Sequence, residues 1–365
     1  MNKQLLALAV SAAMLAPAIA SADVKLYGRV QVEYNVEDDD ATGQDSQQSV
    51  DDNAGQSRLG VKFSEKLGGG LKAFGKVEFR IDPADNNNSG TSGNAASISG
   101  ALGQRDSHVG IKGSWGSIAA GSFHAPYKTA GGVKWDPMVA THLQARRAGG
   151  MSGGPGIGGH NGFMRNAIYY TSPNVNGFKV QFAISPDETN TGNTENTGDD
   201  GDNDYSVAVQ YKNGPWHAIF AHNRNNEDGA GTDDETLTKV GLRWKNGAWT
   251  LAGQYESIND ASAANRGGTP GLNNAYRAAA GEDSDILWLN AQYKHGNNIF
   301  TASWGETDVD VSGASDYDHT YWMVGVIHKF SKKTRIFGGY TETDGDDDGN
   351  GNDRDAFTVG IRKDF

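Results

Sequence analysis

The sequence predicts an all-β protein, an antiparallel transmembrane β-barrel of about sixteen strands. Apolar and polar residues alternate along many segments, tight turns join those segments in pairs, and short connections alternate with long ones. Alternating segments of about ten residues separated by turn residues are typical of bacterial membrane barrels, whose strand number is even. In such barrels the short turns are periplasmic and the long loops are extracellular.

Residues 23–36 show the alternation most fully. Val24 and Leu26 fall on one face, whereas Lys25 and Arg29 fall on the other. Strict alternation predicts a strand, because successive strand side chains point to opposite faces. The same pattern recurs in three other segments, 71–81, 177–185 and 356–365.

Three tight turns share one plan, an aromatic residue and a lysine followed by a turn pair that ends in glycine. They are Tyr211-Lys212-Asn213-Gly214, Trp244-Lys245-Asn246-Gly247 and Tyr293-Lys294-His295-Gly296. Asn-Gly between alternating segments favours a two-residue hairpin turn, because both turn positions need a positive φ. The aromatic residues would then lie at one height, as in the aromatic girdle of a membrane barrel.

Short and long connections alternate along the chain. Seven tight turns are predicted near 67–70, 114–116, 174–176, 213–215, 246–248, 295–297 and 331–333. Eight long polar connections are predicted at 37–54, 83–103, 124–164, 186–203, 225–235, 259–283, 307–318 and 344–354. These connections imply the sixteen strands. A soluble β-sandwich or propeller is the alternative, but neither fold requires short and long connections to alternate so regularly.

The N-terminal residues predict export. Lys3 precedes an apolar stretch at 5–16, and Ala20-Ser21-Ala22 forms a small-residue cleavage site. This is the pattern of a secretory signal peptide, with an N-terminal membrane helix as the alternative. We expect a signal peptide at 1–22 and one barrel domain at 23–365, because no linker or change of composition indicates a second domain.

Composition narrows the classes of function. The chain has no cysteine, which disfavours a small exported domain held together by disulfides. Its formal net charge of −13 disfavours nucleic-acid binding, which usually needs a basic patch. Beyond the signal peptide, no apolar run approaches the ~20 residues that a spanning helix needs.

Several segments, in order, resemble the general porins of Gram-negative bacteria, especially the proteobacterial branch with short periplasmic turns. They are DVKLYGRV (23–30), SRLGVKFSEKLGGGLKAFGKVEFR (57–80), RDSHVGIKGSWGSIAAGSFHAPY (105–127), NAIYYTSPNVNGFKVQFAIS (166–185) and YWMVGVIHKFSKKTRIFGGYTE (321–342). The chain also ends in Phe365, like family members whose terminal aromatic residue is recognised by the barrel-assembly machinery. The resemblance spans residues 23–365.

The resemblance implies a homotrimer of sixteen-stranded barrels, in which the third loop folds inward to narrow the channel. That loop corresponds to 124–164, and the facing wall corresponds to Arg29, Arg58 and Arg105 with Glu78. Alternation independently places Arg29, Arg58 and Glu78 inside, but it does not decide the side for Arg105.

Further charges complete the predicted constriction. Lys76 and Arg80 share the inward face, so the wall would lean towards anions. The sequence departs from the family in two places. A basic residue expected on the sixth strand is replaced by Phe163, with Arg165 two positions later. The third loop of many relatives carries several carboxylates, whereas this one has Asp136 beside Lys134, Arg146 and Arg147.

An acidic segment mimics a calcium-binding loop. Asp344, Asp346 and Asp348 have the D-x-D-x-D spacing, and Asp355 stands at the twelfth place. A bidentate Glu and flanking helices, which such a loop needs, are both missing. The alternative is an acidic extracellular loop that binds divalent ions loosely, bridging lipopolysaccharide phosphates or serving adaptation to salt.

The third loop also contains strings that resemble enzyme motifs. Residues 150–154 match G-x-S-x-G and residues 154–159 match G-x-G-x-x-G, but each motif requires a strand before it and a helix after it. We expect a flexible glycine-rich loop here. His124, His142 and His160 lack metal-ligand spacing and are expected in a solvated loop.

The function predicted from these patterns is an outer-membrane channel for passive diffusion of small hydrophilic solutes and ions, without cofactor or enzymatic activity. Its partners would be other copies of the chain, membrane lipid, lipopolysaccharide and the assembly machinery, and not nucleic acid. A substrate-selective anion or sugar channel of the same fold is the alternative. An outer-membrane barrel enzyme and a soluble secreted all-β carbohydrate-binding protein are further alternatives.

Overall fold

The computed structural model describes residues 23–39, 44–52, 57–81, 83–84, 105–147, 150–152, 162–186, 203–226, 234–260, 283–310, 316–345 and 353–365. The predicted signal peptide, 1–22, lies outside these residues. Within them, no helix combines the length and the apolarity needed to cross a bilayer.

The described chain is mostly β-strand. The strands are β1 Asp23–Asp39, β2 Gln44–Asp51, β3 Arg58–Gly68, β4 Leu71–Arg80, β5 Ser107–Gly113, β6 Gly116–His124, β7 Phe163–Thr171, β8 Phe178–Ser185, β9 Asp204–Asn213, β10 Trp216–Asn225, β11 Glu235–Asn246, β12 Trp249–Asn259, β13 Asp283–His295, β14 Asn298–Asp310, β15 Tyr317–Lys329, β16 Thr334–Gly345 and β17 Arg354–Asp364. Between β6 and β7 lie two single-turn helices, α1 Pro126–Thr129 and α2 Gly132–Trp135, and a 3-10 turn, Ala145–Arg147.

All strand segments in the described residues belong to one antiparallel sheet. Segments β2 and β3 follow each other in the chain and both pair with β1, β2 along its second half and β3 along its first half. They therefore act as one wall strand, which gives sixteen. β17 pairs with β1 from Arg29↔Asp364 to Asp39↔Arg354, so the sheet closes on itself. The predicted sixteen-stranded barrel is confirmed.

Side chains alternate between the outer surface and the lumen. On β17, Phe357, Val359 and Ile361 are 49%, 46% and 52% exposed, whereas Ala356 and Thr358 between them are fully buried. A barrel that faces lipid on the outside and polar groups on the inside shows this pattern.

The short turns lie where the sequence predicts them, but their central residues differ. Asn213, Asn246 and His295 still pair as strand residues, so the two-residue turns are 214–215, 247–248 and 296–297. The prediction of a turn pair ending in glycine, with positive φ at both positions, is wrong, because only the glycine has a positive φ. Gly214, Gly247 and Gly296 have φ values of 53°, 56° and 58°, a conformation that glycine adopts without steric cost. Trp249 and Tyr293 lie beside these turns on the outer face, with ring centroids 4.8 Å apart. Aromatic residues therefore cluster at the short-turn end of the outer surface.

The connection between β6 and β7 folds into the lumen. Its described residues, 125–147 and 150–152, are here called the inward loop. Tyr127, Met138 and Leu143 are completely buried and pack against inward side chains of the wall, including Ile219 and Met323. The hydrophobic core of the protein therefore lies inside the barrel, between this loop and the wall.

Candidate functional site

The inward loop is held against one side of the lumen by side chains of the wall. Most of these bonds use backbone groups of the loop: Tyr127 N to Ser206 Oγ (3.0 Å), Gly132 N to Gln254 Oε1 (2.6 Å), Gln292 Nε2 to Trp135 O (3.0 Å), His142 N to Glu33 Oε2 (2.7 Å) and Tyr321 Oη to Leu143 O (3.3 Å). Buried backbone groups need such partners. The loop thus contacts strands from β9 round to β15 and on to β1.

Glu256 on β12 joins the two ends of the inward loop. Its carboxylate accepts hydrogen bonds from the Tyr127 hydroxyl (2.7 Å), the Ser152 backbone N–H (3.2 Å) and the Ser152 hydroxyl. Gln254 on the same strand also donates to it (2.7 Å). The Lys239 ammonium lies 3.9 Å from the centre of the Tyr127 ring. One buried carboxylate therefore fixes residues that are twenty-five positions apart.

His142 holds the middle of the loop against β1 and β17, the two strands whose pairing closes the barrel. Its Nε2 lies 2.9 Å from Glu37 on β1 and 2.9 Å from Arg354 on β17, and Glu37 also pairs with Arg354. His142 is 3% exposed. The prediction of a solvated histidine is wrong here, because the loop turns inward and brings this ring against a charged pair on the wall.

Glycine lets the loop backbone approach the wall closely. A Cβ added at Gly305 would stand 2.8 Å from Gly150 Cα, and one added at Gly325 would stand 2.5 Å from Met138 Cε. The first clash is with backbone, which cannot move aside like a flexible side chain. Gly150, Met151 and Ser152 are buried at this contact, so the predicted flexible loop is wrong for these three residues.

On the strands next to this anchored region, inward cations lie in one row. Arg29, Arg58 and Arg80 are direct cross-strand neighbours on β1, β3 and β4. Together with Lys76, Arg105 and Glu78 they form what we call the basic wall. Arg29 pairs with Asp364 at 3.0 Å. Like charges directly opposite each other on a sheet are destabilising unless they are compensated.

Glu78 is the counter-charge at the centre of the basic wall. Its carboxylate lies 2.6 Å from Arg105 and 3.6 Å from Arg58, and it accepts a hydrogen bond from the Tyr27 hydroxyl (2.8 Å). Lys76 pairs instead with Asp106 at 2.5 Å. Of the predicted wall residues, the structure therefore brings Arg58 and Arg105 together around Glu78, whereas Arg29 and Lys76 pair with other carboxylates.

Arg105 is the wall residue whose side alternation left open. It precedes β5, so strand alternation does not govern it, and its guanidinium reaches Glu78 in the lumen. It also lies 5.5 Å from the Phe163 ring, and the Lys128 ammonium lies 5.1 Å from the same ring. Phe163, which stands where the resemblance implies a basic residue, thus lies beside two cations from elsewhere in the chain.

The charged residues of the inward loop are not equivalent. Asp136 is 4% exposed and accepts hydrogen bonds from the backbone N–H of Met138 (2.8 Å) and Ala145 (3.2 Å). Burial raises the pKa of this carboxyl, in the loop between two spanning strands, to about 6, although both amides act to lower it. Arg146 is buried and donates to Gln144 (3.2 Å), whereas Lys134 is exposed. The side chain of Arg147 lies outside the described residues.

The residues that resemble metal-binding and enzyme motifs have other contacts. His124 lies 3.0 Å from Asp106, and the Ser152 hydroxyl bonds to Glu256. No group of three metal-ligating side chains occurs among the described residues. Asp344 and Asp355 belong to β16 and β17. His160, Asp346, Asp348 and all of 153–159 lie outside the described part of the chain.

Sequence reasoning missed the residues that anchor the loop. Glu256, Glu33 and Lys239 are each at most 1% exposed inside the barrel. A signal was present: Gln31 and Glu33, like Gln254 and Glu256, form a Gln-x-Glu pair on an inward face. In both pairs the Gln amide donates to the Glu carboxylate, at 2.6 and 2.7 Å, and the carboxylate accepts a loop N–H.

Comparison with known proteins gives consistent matches. Residues 7–348 match the protein family described as Gram-negative porin. The major outer membrane protein P.IB of Neisseria gonorrhoeae is 26% identical over 348 residues, which cover 92% of this chain and 91% of that protein. Among solved structures, the anion-selective porin of Comamonas acidovorans has a TM-score of 0.73 at 23% identity, covering 94% of this chain and all of that chain. OmpT of Vibrio cholerae in its trimer form has a TM-score of 0.64 at 16% identity, with 94% and 100% covered.

Proposed function

The chain belongs to the Gram-negative porin family, and we propose that its channel is narrowest between the inward loop and the basic wall. As a porin it is an outer-membrane protein that forms a water-filled channel for passive diffusion of small hydrophilic solutes and ions.

The observation that carries the proposal is that the inward loop fills one side of the lumen and leaves the basic wall uncovered on the other. The inward loop fills the lumen beside β9–β15 and bonds to that wall through Glu256, Gln254 and Gln292. On the other side, Arg58 of β3 and Glu78 of β4 pair with each other, and Glu78 also pairs with Arg105, which precedes β5. Water and solutes would pass between these two surfaces, with Lys134 as an exposed cation on the loop side.

The charges beside the proposed passage are predominantly positive. Six cations face three carboxylates: Arg29, Arg58, Lys76, Arg80, Arg105 and Arg362 against Glu78, Asp106 and Asp364. A permeant ion there lies within about one Debye length, ~8 Å, of several of these groups. We therefore expect the narrow passage to favour anions over cations of the same size.

Two kinds of channel fit this geometry, and solute flux separates them. A general diffusion channel has rates that fall smoothly as solutes become larger. A substrate-selective channel has one rate that is high for its size and saturates with concentration. The basic wall attracts anions as a class through its excess of positive charge, and this does not single out one solute, so we favour general diffusion.

Liposome swelling with a series of uncharged sugars tests this choice. Liposomes that contain the protein should swell at rates that decline steadily with sugar size, whereas protein-free liposomes should not swell. A single sugar that permeates faster than a smaller one, or a rate that saturates, would contradict general diffusion and favour the selective channel.

The assembly is also part of the proposal. We propose a homotrimer in the membrane, supported by the trimer form of the structural neighbour and by the exposed apolar outer wall. Phe365 lies on this outer surface, covering Gly28, and their backbones are joined by reciprocal hydrogen bonds of 3.1 and 3.3 Å. An exposed terminal ring where β1 and β17 pair suits recognition by the barrel-assembly machinery.

The acidic long loops suit contact with lipopolysaccharide through divalent ions. The proposed role of the protein is transport without catalysis.

A further inference from the structure

Lysine recurs at one position of the barrel that the channel function does not explain. Between β9 and β15, four strands end beside a short turn with a lysine as their last or second-last residue. We call these lysines the lysine collar: Lys212 on β9, Lys245 on β11, Lys294 on β13 and Lys329 on β15. All four are exposed to solvent. They therefore lie at one end of the barrel, the end with short turns.

The collar lysines face the lumen. Lys294 alternates in phase with Gln292, which bonds to Trp135 of the inward loop. Lys245 alternates in phase with Arg243, whose guanidinium lies 5.7 Å from the Trp135 ring. The same alternation relates Lys212 to Ser206, and Lys329 to Ile327 and Tyr321, all of which are buried inside the barrel. The ammonium groups thus border the water-filled mouth and not the lipid.

Cross-strand neighbours add to the positive charge. Lys329 lies directly opposite Arg335, which lies opposite Arg362. On the other side of the mouth, a second row of three directly opposed lysines is formed by Lys66, Lys72 and Lys112. Like charges in direct opposition cost free energy. A bound counter-charge would remove that cost.

The described carboxylates do not neutralise the collar. Asp364, at this end of the barrel, is bonded to Arg29 and Arg362. Among the residues that the structure describes, no ion pair involves Lys212, Lys245, Lys294 or Lys329. Their charge is therefore available to a ligand.

We propose that the short-turn mouth of the channel is a binding site for soluble multivalent anions of the phosphate type. Collar lysines on alternate strands are roughly 10 Å apart along the wall, from two strand spacings, so their fields overlap within a Debye length of ~8–10 Å. A monovalent anion neutralises only one of them at a time, whereas a short polyanion neutralises several. A lipid headgroup is excluded by the inward direction of the side chains. Since the short turns are periplasmic, the site would face the periplasm.

Binding of inorganic tripolyphosphate to the purified barrel in detergent tests the proposal without reference to the constriction. Titration calorimetry at low ionic strength should give saturable binding that weakens as salt is added. In a Lys245→Gln, Lys294→Gln, Lys329→Gln variant the dissociation constant should rise about tenfold or more, because three exposed charges have been removed from one site. The Arg versions of the same three substitutions should restore it.

A matched control removes three charges from the same end of the barrel. Lys332→Gln, Lys333→Gln and Lys363→Gln affect the β15–β16 turn and a lysine that bonds to Thr334 on the outer face. This variant should bind as the wild type does. Equal weakening in both variants, or no saturable binding by the wild type, would overturn the proposal.

Channel recordings then locate the site. Tripolyphosphate should block conduction at lower concentration from the short-turn side than from the long-loop side, and the collar variant should abolish this difference. If Arg29→Gln with Arg58→Gln removed the block while the collar variant kept it, the anion would bind at the constriction and the proposal would be wrong.

Discussion

The loop-covered wall and the basic wall use the same residue type differently. On the covered side, Glu256 and Glu33 accept hydrogen bonds from the inward loop. On the basic side, Glu78 bonds to Arg58 and Arg105. Both kinds of carboxylate are almost fully buried.

From this contrast we infer that the loop-covered wall determines the width of the channel and that the basic wall determines its charge. Carboxylates that accept loop N–H and hydroxyl groups hold the loop in place, and with it the width of the passage. Carboxylates that bond to arginines set the strength of the positive field. Substitutions on the covered wall should therefore change pore size, whereas those on the basic wall should change selectivity at nearly constant size.

Glu256→Ala should have the largest effect. It removes the acceptor for Tyr127 and Ser152, and each buried donor left without a partner costs about 1–3 kcal/mol. The inward loop should detach, so that single-channel conductance rises and fluctuates more. Glu306→Ala, the same change on the outer face of β14, is the control and should leave conductance unchanged. Wild-type conductance in the Glu256 variant would contradict the anchoring role.

Gly305→Ala should have a smaller effect. It acts on the close contact between Gly305 of the wall and Gly150 of the inward loop. The new Cβ would collide with Gly150 Cα and approach Leu287 O at 3.1 Å, at a cost of about 1–3 kcal/mol for overpacking. We expect a lower midpoint of thermal unfolding in detergent. Gly253→Ala on β12 is the matched control, because its closest contact is the end of the flexible Leu289 side chain at 3.0 Å. Equal midpoints for the two variants would argue against a close approach of loop and wall.

Glu78→Gln should have the smallest effect, confined to selectivity. It leaves Arg58 and Arg105 without their counter-charge, and one unit charge at ~8–10 Å in a watery pore changes the ion energy enough for about a twofold rise in the anion-to-cation permeability ratio. Conductance steps should keep their size. Glu65→Gln, on the outer face of β3, serves as control. A large rise in conductance would show that Glu78 holds the shape of the pore instead.

Local pattern was enough to predict the barrel and much of the wall. Alternation places Arg29, Arg58 and Glu78 inside, because a strand allows only two directions. The glycines mark the positions of the short turns, although not which residue follows them in the turn. Alternation could not place Arg105, which lies before its strand. Alternation also could not predict the hydrogen bonds of Tyr127 and Ser152 to Glu256, because a local pattern does not relate residues more than a hundred positions apart.

The wrong predictions about the inward loop share one cause. His142 and Ser152 lie in a long polar, glycine-rich connection, which locally favours a solvated or flexible loop. Once that loop enters a closed barrel, its polar groups meet a complementary wall and become buried. Only the tertiary structure supplies those partners.

The zero-current potential across a planar bilayer in a tenfold gradient of potassium chloride tests the central proposal most directly. Wild-type channels should show the sign of anion preference, and Arg29→Gln with Arg58→Gln should move the potential towards cation preference with little change in conductance. Lys363→Gln, on the outer face, should leave it unchanged. An unaltered potential in the double variant would contradict a passage whose selectivity is set by the basic wall.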